Sequence, residues 1–254
     1  MPDNRGVTAR FHAPDAARIG DTIRLPPDEA LHLRRVLRLE AGAHVRIFNG
    51  RGSEFDGVVV DIAKSSVHVR LDGVRDAVAE PRVSVTLAQA VLKGDKMDDV
   101  IRDAVMMGVA AIQPLVSARS EMTLAALVRG RRRERWERIA VASAKQCGRA
   151  TVPAILEPQT FEDIVAALTQ MRLPSPGIMF VEPSAAVGAL TPAELADAPR
   201  QATTLVVGPE GGWAPDEIAR GAATCRLATL GPRTLRADAV PIVAIAALFA
   251  VWGE

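Results

Sequence analysis

From Val83 onward the chain alternates short apolar runs with segments of helical length, and this alternation limits its possible folds more than any other feature. The runs are VSVTLAQAV, AAIQPLV, GIMFVE, TTLVVG and CRLATL; the helix-length segments are 95–107, 131–146, 161–171, 216–221 and 238–252. Short apolar runs without polar alternation suit strands covered on both faces, and intervening helices suit parallel crossovers. The pattern predicts an α/β layer with a largely parallel sheet.

The first 80 residues follow another rule. His44 to Phe48 precedes the turn signal Asn49-Gly50-Arg51-Gly52, a second run covers 55–62, and Val67-His68-Val69-Arg70-Leu71 alternates strictly. Within DEALHLRRVLRLEAG, Leu31, Val36 and Leu39 fall near helical spacing, and Asp28 can cap the segment. These signals predict a small β-barrel with one short helix. The polar stretch 72–81 is the boundary, giving a domain over 1–75 and a second over 82–254. A 254-residue chain with 48% hydrophobic positions is long enough to bury such cores.

A net charge of +1 hides a segregation. Residues 31–51 carry five Arg against one Glu, and residues 129–149 carry seven Arg and one Lys against two Glu, so the remainder is acidic. Two basic patches on an otherwise acidic chain form an electrostatic footprint for a polyanion, although solvated helix faces produce the same pattern. The four His all precede residue 70, and Cys147 and Cys225 form no metal-binding spacing, so no metal is expected and free thiols are. The longest apolar stretch, 239–252, contains Pro241 and falls short of the roughly 18 residues a membrane helix needs. The N-terminus lacks the apolar core of a secretory signal, which points to the cytoplasm.

In parallel α/β folds, ligands gather beyond the carboxyl ends of the strands, so the following loops are the candidates. Gly208-Pro209-Glu210-Gly211-Gly212 follows one apolar run and matches neither the dinucleotide nor the triphosphate glycine pattern. Its glycines permit close approach of a flat ligand to the main chain, with Gly211 as the expected point of contact; a plain tight turn would look the same. The next run leads into Leu230-Gly231-Pro232-Arg233-Thr234-Leu235-Arg236-Ala237-Asp238, where Asp238 is placed to cap the last helix. Two further segments, 93–98 and 145–149, read equally well as ordinary helix ends.

In order along the chain, Arg10-Phe11, His32-Leu33-Arg34-Arg35-Val36-Leu37-Arg38, the 93–108 segment, Lys145-Gln146-Cys147-Gly148-Arg149, GPEGG at 208–212 and LGPRTLR at 230–236 resemble the bacterial ribosomal RNA small-subunit methyltransferase E family. The resemblance implies a SPOUT-type α/β domain, with its parallel sheet knotted as a trefoil, preceded by a PUA-like β-barrel. It also implies a homodimer and methylation of uridine N3 in 16S ribosomal RNA of the small subunit, with S-adenosylmethionine as cofactor. A non-catalytic RNA-binding homologue and a methyltransferase for another RNA share the same fold.

Mapped onto this chain, the resemblance implies a cofactor site of Glu182, Gly208, Pro209, Glu210, Gly211, Gly212, Leu230, Gly231 and Leu235. Methylating N3 requires stabilisation of negative charge on the base and a proton acceptor; Arg236 suits the first role, and Glu210 or Asp238 the second. Arg10, Arg34, Arg35, Arg38 and Arg149, with the strip 131–135, are the expected phosphate contacts, and Phe11 or Phe48 the stacking platforms. Three positions depart from the family pattern: Met106-Met107 before Gly108, Ala237-Asp238-Ala239-Val240 after the LR pair, and Ala214 where a Ser or Thr cap is usual. Ala at a cap costs about 1 kcal/mol.

Overall fold

The computed structural model describes residues 8–185, 188–196 and 200–254; the start of the expected 1–75 domain, residues 1–7, lies outside them. It divides into two units, one holding the described residues through Glu80 together with Val141–Val152, the other Pro81–Ala140 and Pro153–Glu254. The stretch Val141–Val152, assigned by the sequence to the second domain, thus clusters with the first.

In the first unit, β1 (Arg10–His12), β2 (Thr22–Arg24), β3 (His44–Phe48), β4 (Glu54–Ile62) and β5 (Val67–Arg75) form a curled sheet in the order β1-β3-β4-β5-β2. All pairs are antiparallel except β1 with β3. Alternation decides which faces turn inward: Val67, Val69 and Leu71 join Val45, Ile47 and Phe11 in one core, while Arg70 points out. The Asn49 turn forms because the side-chain oxygen of Asn49 accepts the Arg51 and Ser53 N–H groups at 2.8 and 3.1 Å. The expected helix is divided into α1 (Pro27–Leu31) and a π-helical turn over His32–Leu37 that ends at Arg38 in the left-handed region (φ 53°). Pro26 occupies the cap position, so Asp28 lies in the first turn and does not cap.

The second unit contains β6 (Val85–Ala90), α2 (Lys96–Met106), β7 (Ala111–Val116), α3 (Leu124–Arg129), α4 (Arg132–Cys147, whose last turns belong to the first unit), β8 (Ala154–Ile155), β9 (Gln159–Thr160), α5 (Phe161–Thr169), β10 (Gly177–Phe180), α6 (Pro192–Leu195), β11 (Thr203–Val207), α7 (Pro215–Ala222), β12 (Cys225–Ala228) and α8 (Val240–Trp252). The sheet order is β12-β10-β11-β6-β7-β8, with β9 beside β7, and every pairing is parallel. Strands β6, β10 and β11 are buried throughout, as apolar runs without alternation require. The chain leaves β6 toward β7 but leaves β11 toward the opposite edge, so strand order reverses between these neighbours. Such a reversal opens a crevice at the carboxyl ends of the strands. Among the described residues, no helix is long and apolar enough to cross a membrane. Cys147 and Cys225 are free thiols; Cys225 is buried, which pushes its thiol pKa up to about 12.

Candidate active site

Three loops beyond the carboxyl ends of β10, β11 and β12 line one cleft that is open to solvent. Of the residues expected there, Glu182, Gly208, Pro209, Glu210, Gly212, Leu230 and Leu235 line it. Gly211 and Gly231 do not. Pro183, Arg233 and Thr234, which fall within the loops that the resemblance maps to the cofactor, line it as well, and Trp213, Thr229 and strand-end residues such as Phe180 are lining residues the sequence did not mark. Arg233 and Thr234 stood inside a segment already singled out; Trp213 followed the glycines directly.

The glycine loop is fixed by its surroundings. Gly212 has φ +67°, and a Cβ there would lie 1.8 Å from Oε1 of Glu182, so the loop main chain and that carboxylate are packed directly together. The Trp213 indole covers Gly208 and donates its N–H to the Phe180 carbonyl at 2.9 Å, tying the β11 loop to the end of β10. At Gly211 the close approach is to Arg119, whose guanidinium donates to the Gly211 carbonyl at 2.9 Å and whose Cβ would lie 3.2 Å from an added methyl. The tight approach expected at Gly211 therefore belongs to Gly212. Helix α7 begins at Ala214 without a side-chain cap, and the buried Glu217 carboxylate compensates. It accepts the Ala214 N–H at 2.9 Å and the Ala118 N–H at 2.8 Å, joining the loop after β7 to the loop after β11.

Glu210 is held from the far side of the crevice. The Lys93 N–H and the Lys96 ammonium both donate to its Oε1, each at 3.1 Å. Burial raises its pKa, but the N–H groups of Glu210 and Lys93 and the Lys96 ammonium outweigh burial and hold the carboxyl below its ordinary value. Arg236 and Asp238 face each other instead of the cleft, with guanidinium-to-carboxylate distances of 3.1 and 2.9 Å, and Ala237 between them reaches the lining. Asp238 therefore pairs with Arg236 and does not cap α8, which starts after Ala239 without a side-chain cap. Partial burial raises the Asp238 pKa, and the hydrogen bond from Arg236 outweighs it, so this carboxyl also lies below its ordinary value.

The expected RNA contacts separate into two groups. Arg10 is a structural residue: its guanidinium pairs with Glu54 at 3.0 Å, donates to the Ala144, Lys145 and Arg149 carbonyls, and covers the Phe48 ring at 3.9 Å. Arg149 is buried against Glu80. Both arginines are occupied internally, which corrects their assignment to phosphate. Phe11 and Phe48 are fully buried, which corrects their assignment as platforms. Arg35 and Arg38 are exposed beside Val36 and Leu37, and Arg34 is half-buried and donates to the Lys64 carbonyl. In the strip 131–135, Arg131, Arg133 and Arg135 pair with neighbouring acids, the first two with Glu134 and Glu137. Among the described residues no cluster of His, Cys, Asp or Glu is arranged to hold a metal.

A parallel α/β unit with its cleft at the reversal of strand order, preceded by a curled sheet, defines the class. A family model described as an RNA methyltransferase domain matches residues 79–249, and one described as an RNA methyltransferase PUA domain matches 25–72. The chain belongs to the ribosomal RNA small subunit methyltransferase E family. It is 31% identical to the Synechocystis member over 240 residues, 91% of this chain and 73% of that one, and 27% identical to the Bacillus subtilis member over 89% of each. The ribosomal RNA small subunit methyltransferase E of Neisseria gonorrhoeae, solved bound to S-adenosyl methionine, superposes with TM-score 0.86 at 29% identity over 97% of this chain and 98% of that one. A putative methyltransferase of Legionella pneumophila, solved with bound S-adenosylmethionine, superposes equally well, with TM-score 0.86 at 27% identity over 96% and 98%. The expected fold class, a SPOUT-type α/β domain preceded by a PUA-like unit, is the one observed.

Proposed function

We propose that this methyltransferase uses S-adenosylmethionine to methylate N3 of a uridine in 16S ribosomal RNA of the small subunit, acting in the cytoplasm as a homodimer. The observation that carries the reading is the cleft built by three strand-end loops at the reversal of strand order. Its walls combine apolar side chains such as Phe180, Val207 and Leu230 with glycine main chain that has no room for a Cβ, a surface suited to a purine nucleoside. The cofactor, when bound, supplies an electrophilic methyl group.

Arg236 stabilises the negative charge that develops on the uracil. Its guanidinium is 75% exposed and is paired with a residue two positions away, so it can turn to an anionic base with little rearrangement. Release from Arg236 returns the Asp238 carboxyl toward ordinary basicity, which favours Asp238 as the proton acceptor. Glu210 is less suited, because Lys93 and Lys96 already occupy its Oε1.

Arg34, Arg35 and Arg38 contact phosphate. All six Phe and all three Trp are buried, so no ring is offered to a base on the outer surface, and recognition rests on phosphate and shape. Helix α8 supports the homodimer: it is apolar at every position, yet Val243, Ala246 and Ala250 remain exposed along one stripe. A trefoil knot belongs to this reading, supported by the β12-β10-β11 order and by the return of α8 against α2 and β11.

The test is mass spectrometry of ribosomal RNA and small subunits incubated with the protein and labelled cofactor. Label on uridine N3 of 16S RNA, with the matching block to primer extension, is the expected result. Absence of label, or label in another RNA, overturns the proposal.

A further inference from the structure

In the first unit, the π-helical turn over His32–Leu37 is anchored from within. Leu33 is fully buried, the His32 ring meets Phe11 edge-on at 6.2 Å, and the N–H groups of Arg38 and Leu39 both donate to the Leu33 carbonyl. So anchored, the turn leaves Val36 and Leu37 exposed, at 65% and 40%, between Arg35 and Arg38. It closes at Arg38 in the left-handed region, where glycine would be unstrained, so a charged side chain is kept there at a backbone cost. The hairpin between β4 and β5 turns where the Ala63 N–H donates to the Ser66 carbonyl at 2.9 Å, and the two carbonyls at its tip are taken by arginines. Arg34 donates to the Lys64 carbonyl, and Arg24 donates to the Ser65 carbonyl at 3.2 Å. These bonds gather Arg24, Arg34 and Lys64 at one tip. Asp61, on the same hairpin, pairs with His68 at 3.3 Å, and none of Arg24, Arg34, Arg35, Arg38 and Lys64 has an ion-pair partner among the described residues.

Exposed aliphatic side chains flanked by unpaired cations match one kind of occupant. On a duplex the base faces are stacked away, and an aliphatic group would meet only phosphate and ribose. An unpaired strand offers phosphates and base faces together, so both kinds of side chain find partners. Two aliphatic side chains are too small a surface for a protein partner, whose stable interface buries roughly 800 Å² on each side. We propose that the His32–Arg38 turn and the 63–66 hairpin tip form a seat for unpaired RNA, in which Val36 and Leu37 pack against base faces while Arg24, Arg34 and Lys64 hold the flanking phosphates. This rests on the RNA reading above and extends it: Arg24 and Lys64 join the phosphate contacts, and aliphatic groups take the place of the buried rings. The seat reads the absence of pairing and not the identity of a base, because neither aliphatic side chain can hydrogen-bond a base edge.

The test is equilibrium RNA binding by the full chain without cofactor, using three probes of equal length. They are a single-stranded oligocytidylate, which lacks the target base; its abasic counterpart, which keeps only ribose and phosphate; and a fully paired duplex. The wild type should prefer oligocytidylate to the abasic strand. Val36→Ser and Leu37→Ser together should weaken oligocytidylate about tenfold and remove that preference, while the abasic strand and the duplex stay within about twofold. Arg24→Gln and Lys64→Gln should each weaken both single strands and lower their salt dependence by about 0.7 in logarithmic slope. Thermal melts of the aliphatic variant should be unchanged, since both side chains are exposed. Equal losses on oligocytidylate and the abasic strand, or no loss on either, overturn the proposal and leave the RNA reading intact. Capture by anionic vesicles that the aliphatic variant loses, with RNA binding unaltered, overturns it as well and makes the turn a membrane contact. If the wild type binds 16S ribosomal RNA but not oligocytidylate, the seat fails alone; if it binds neither, the RNA reading fails with it.

Discussion

The two loops that form most of the cleft are built in opposite ways. In the loop after β11, Glu210 is held by Lys93 and Lys96, Gly211 by Arg119, Gly212 by a hydrogen bond to Pro209 and by contact with Glu182, and the helix that follows by Glu217. The loop after β12 is anchored at its first residue, where the Thr229 N–H donates to the Leu190 carbonyl at 2.9 Å; beyond it the Thr229 hydroxyl donates to the Gly231 carbonyl and Arg236 to Asp238, each across two residues. One loop is fixed along its length by residues distant in sequence; the other, past Thr229, is held by its near neighbours. A preorganised wall suits a ligand that must be placed accurately, and an adaptable one suits a residue that must change partners during a reaction.

Substitutions that treat the two loops differently can break or sharpen this contrast. Arg236→Ala should lower kcat about 10²- to 10³-fold while leaving cofactor affinity within about twofold, measured by single turnover and calorimetry. A parallel fall in affinity would mean that the β12 loop is as structural as its neighbour. Glu217→Ala should destabilise the protein by about 2 kcal/mol, because two part-buried hydrogen bonds from N–H groups to a charged acceptor are lost; denaturant melts measure this, and Glu217→Gln should recover part of it. Gly212→Ala should weaken cofactor binding about tenfold through displacement of Glu182 and the strain of φ +67°. Gly211→Ala should change it less than twofold by the same measurement, since its added methyl meets Arg119 instead of the cleft, and a reversed order would overturn the loop geometry.

The smallest expected effect concerns acid stability. Glu210 lies below its ordinary pKa of 4.5, so the folded state favours its ionised form. That contribution is complete above 4.5 and is lost as pH falls through the lower folded value. Glu210→Gln should therefore flatten the acid limb of the stability profile, and an unchanged limb would argue against the Lys93 and Lys96 contacts.

The same distinction between near and distant partners explains what was legible in the sequence. The runs that became β3, β6, β7, β10, β11 and β12 were visible because a short apolar run, alternating or continuous, is a property of neighbouring residues. The three-residue β1 and β2 were not, since too few positions alternate to carry a signal. The π-helical turn was hidden as well, because Leu31, Val36 and Leu39 suit an α-helix equally well. Among the site residues, the glycine loop and the LR-containing loop announced themselves, whereas Arg233 and Thr234 lay inside a marked segment with nothing to single them out.

What the sequence determined by itself is the order of elements, the parallel sheet, and the two loops that carry the glycines and arginines, because each depends on spacing along the chain. Which arginines remain available for a ligand was decided by the tertiary structure. Arg10 and Arg149 read as phosphate contacts until the fold brings Glu54 and Glu80, 44 and 69 residues away, against their guanidinium groups. In the same way, only the fold places the Glu182 carboxylate over Gly212 and turns Gly211 toward Arg119. Charge is written in the sequence, but whether a charge is satisfied depends on partners that only folding brings within hydrogen-bonding distance.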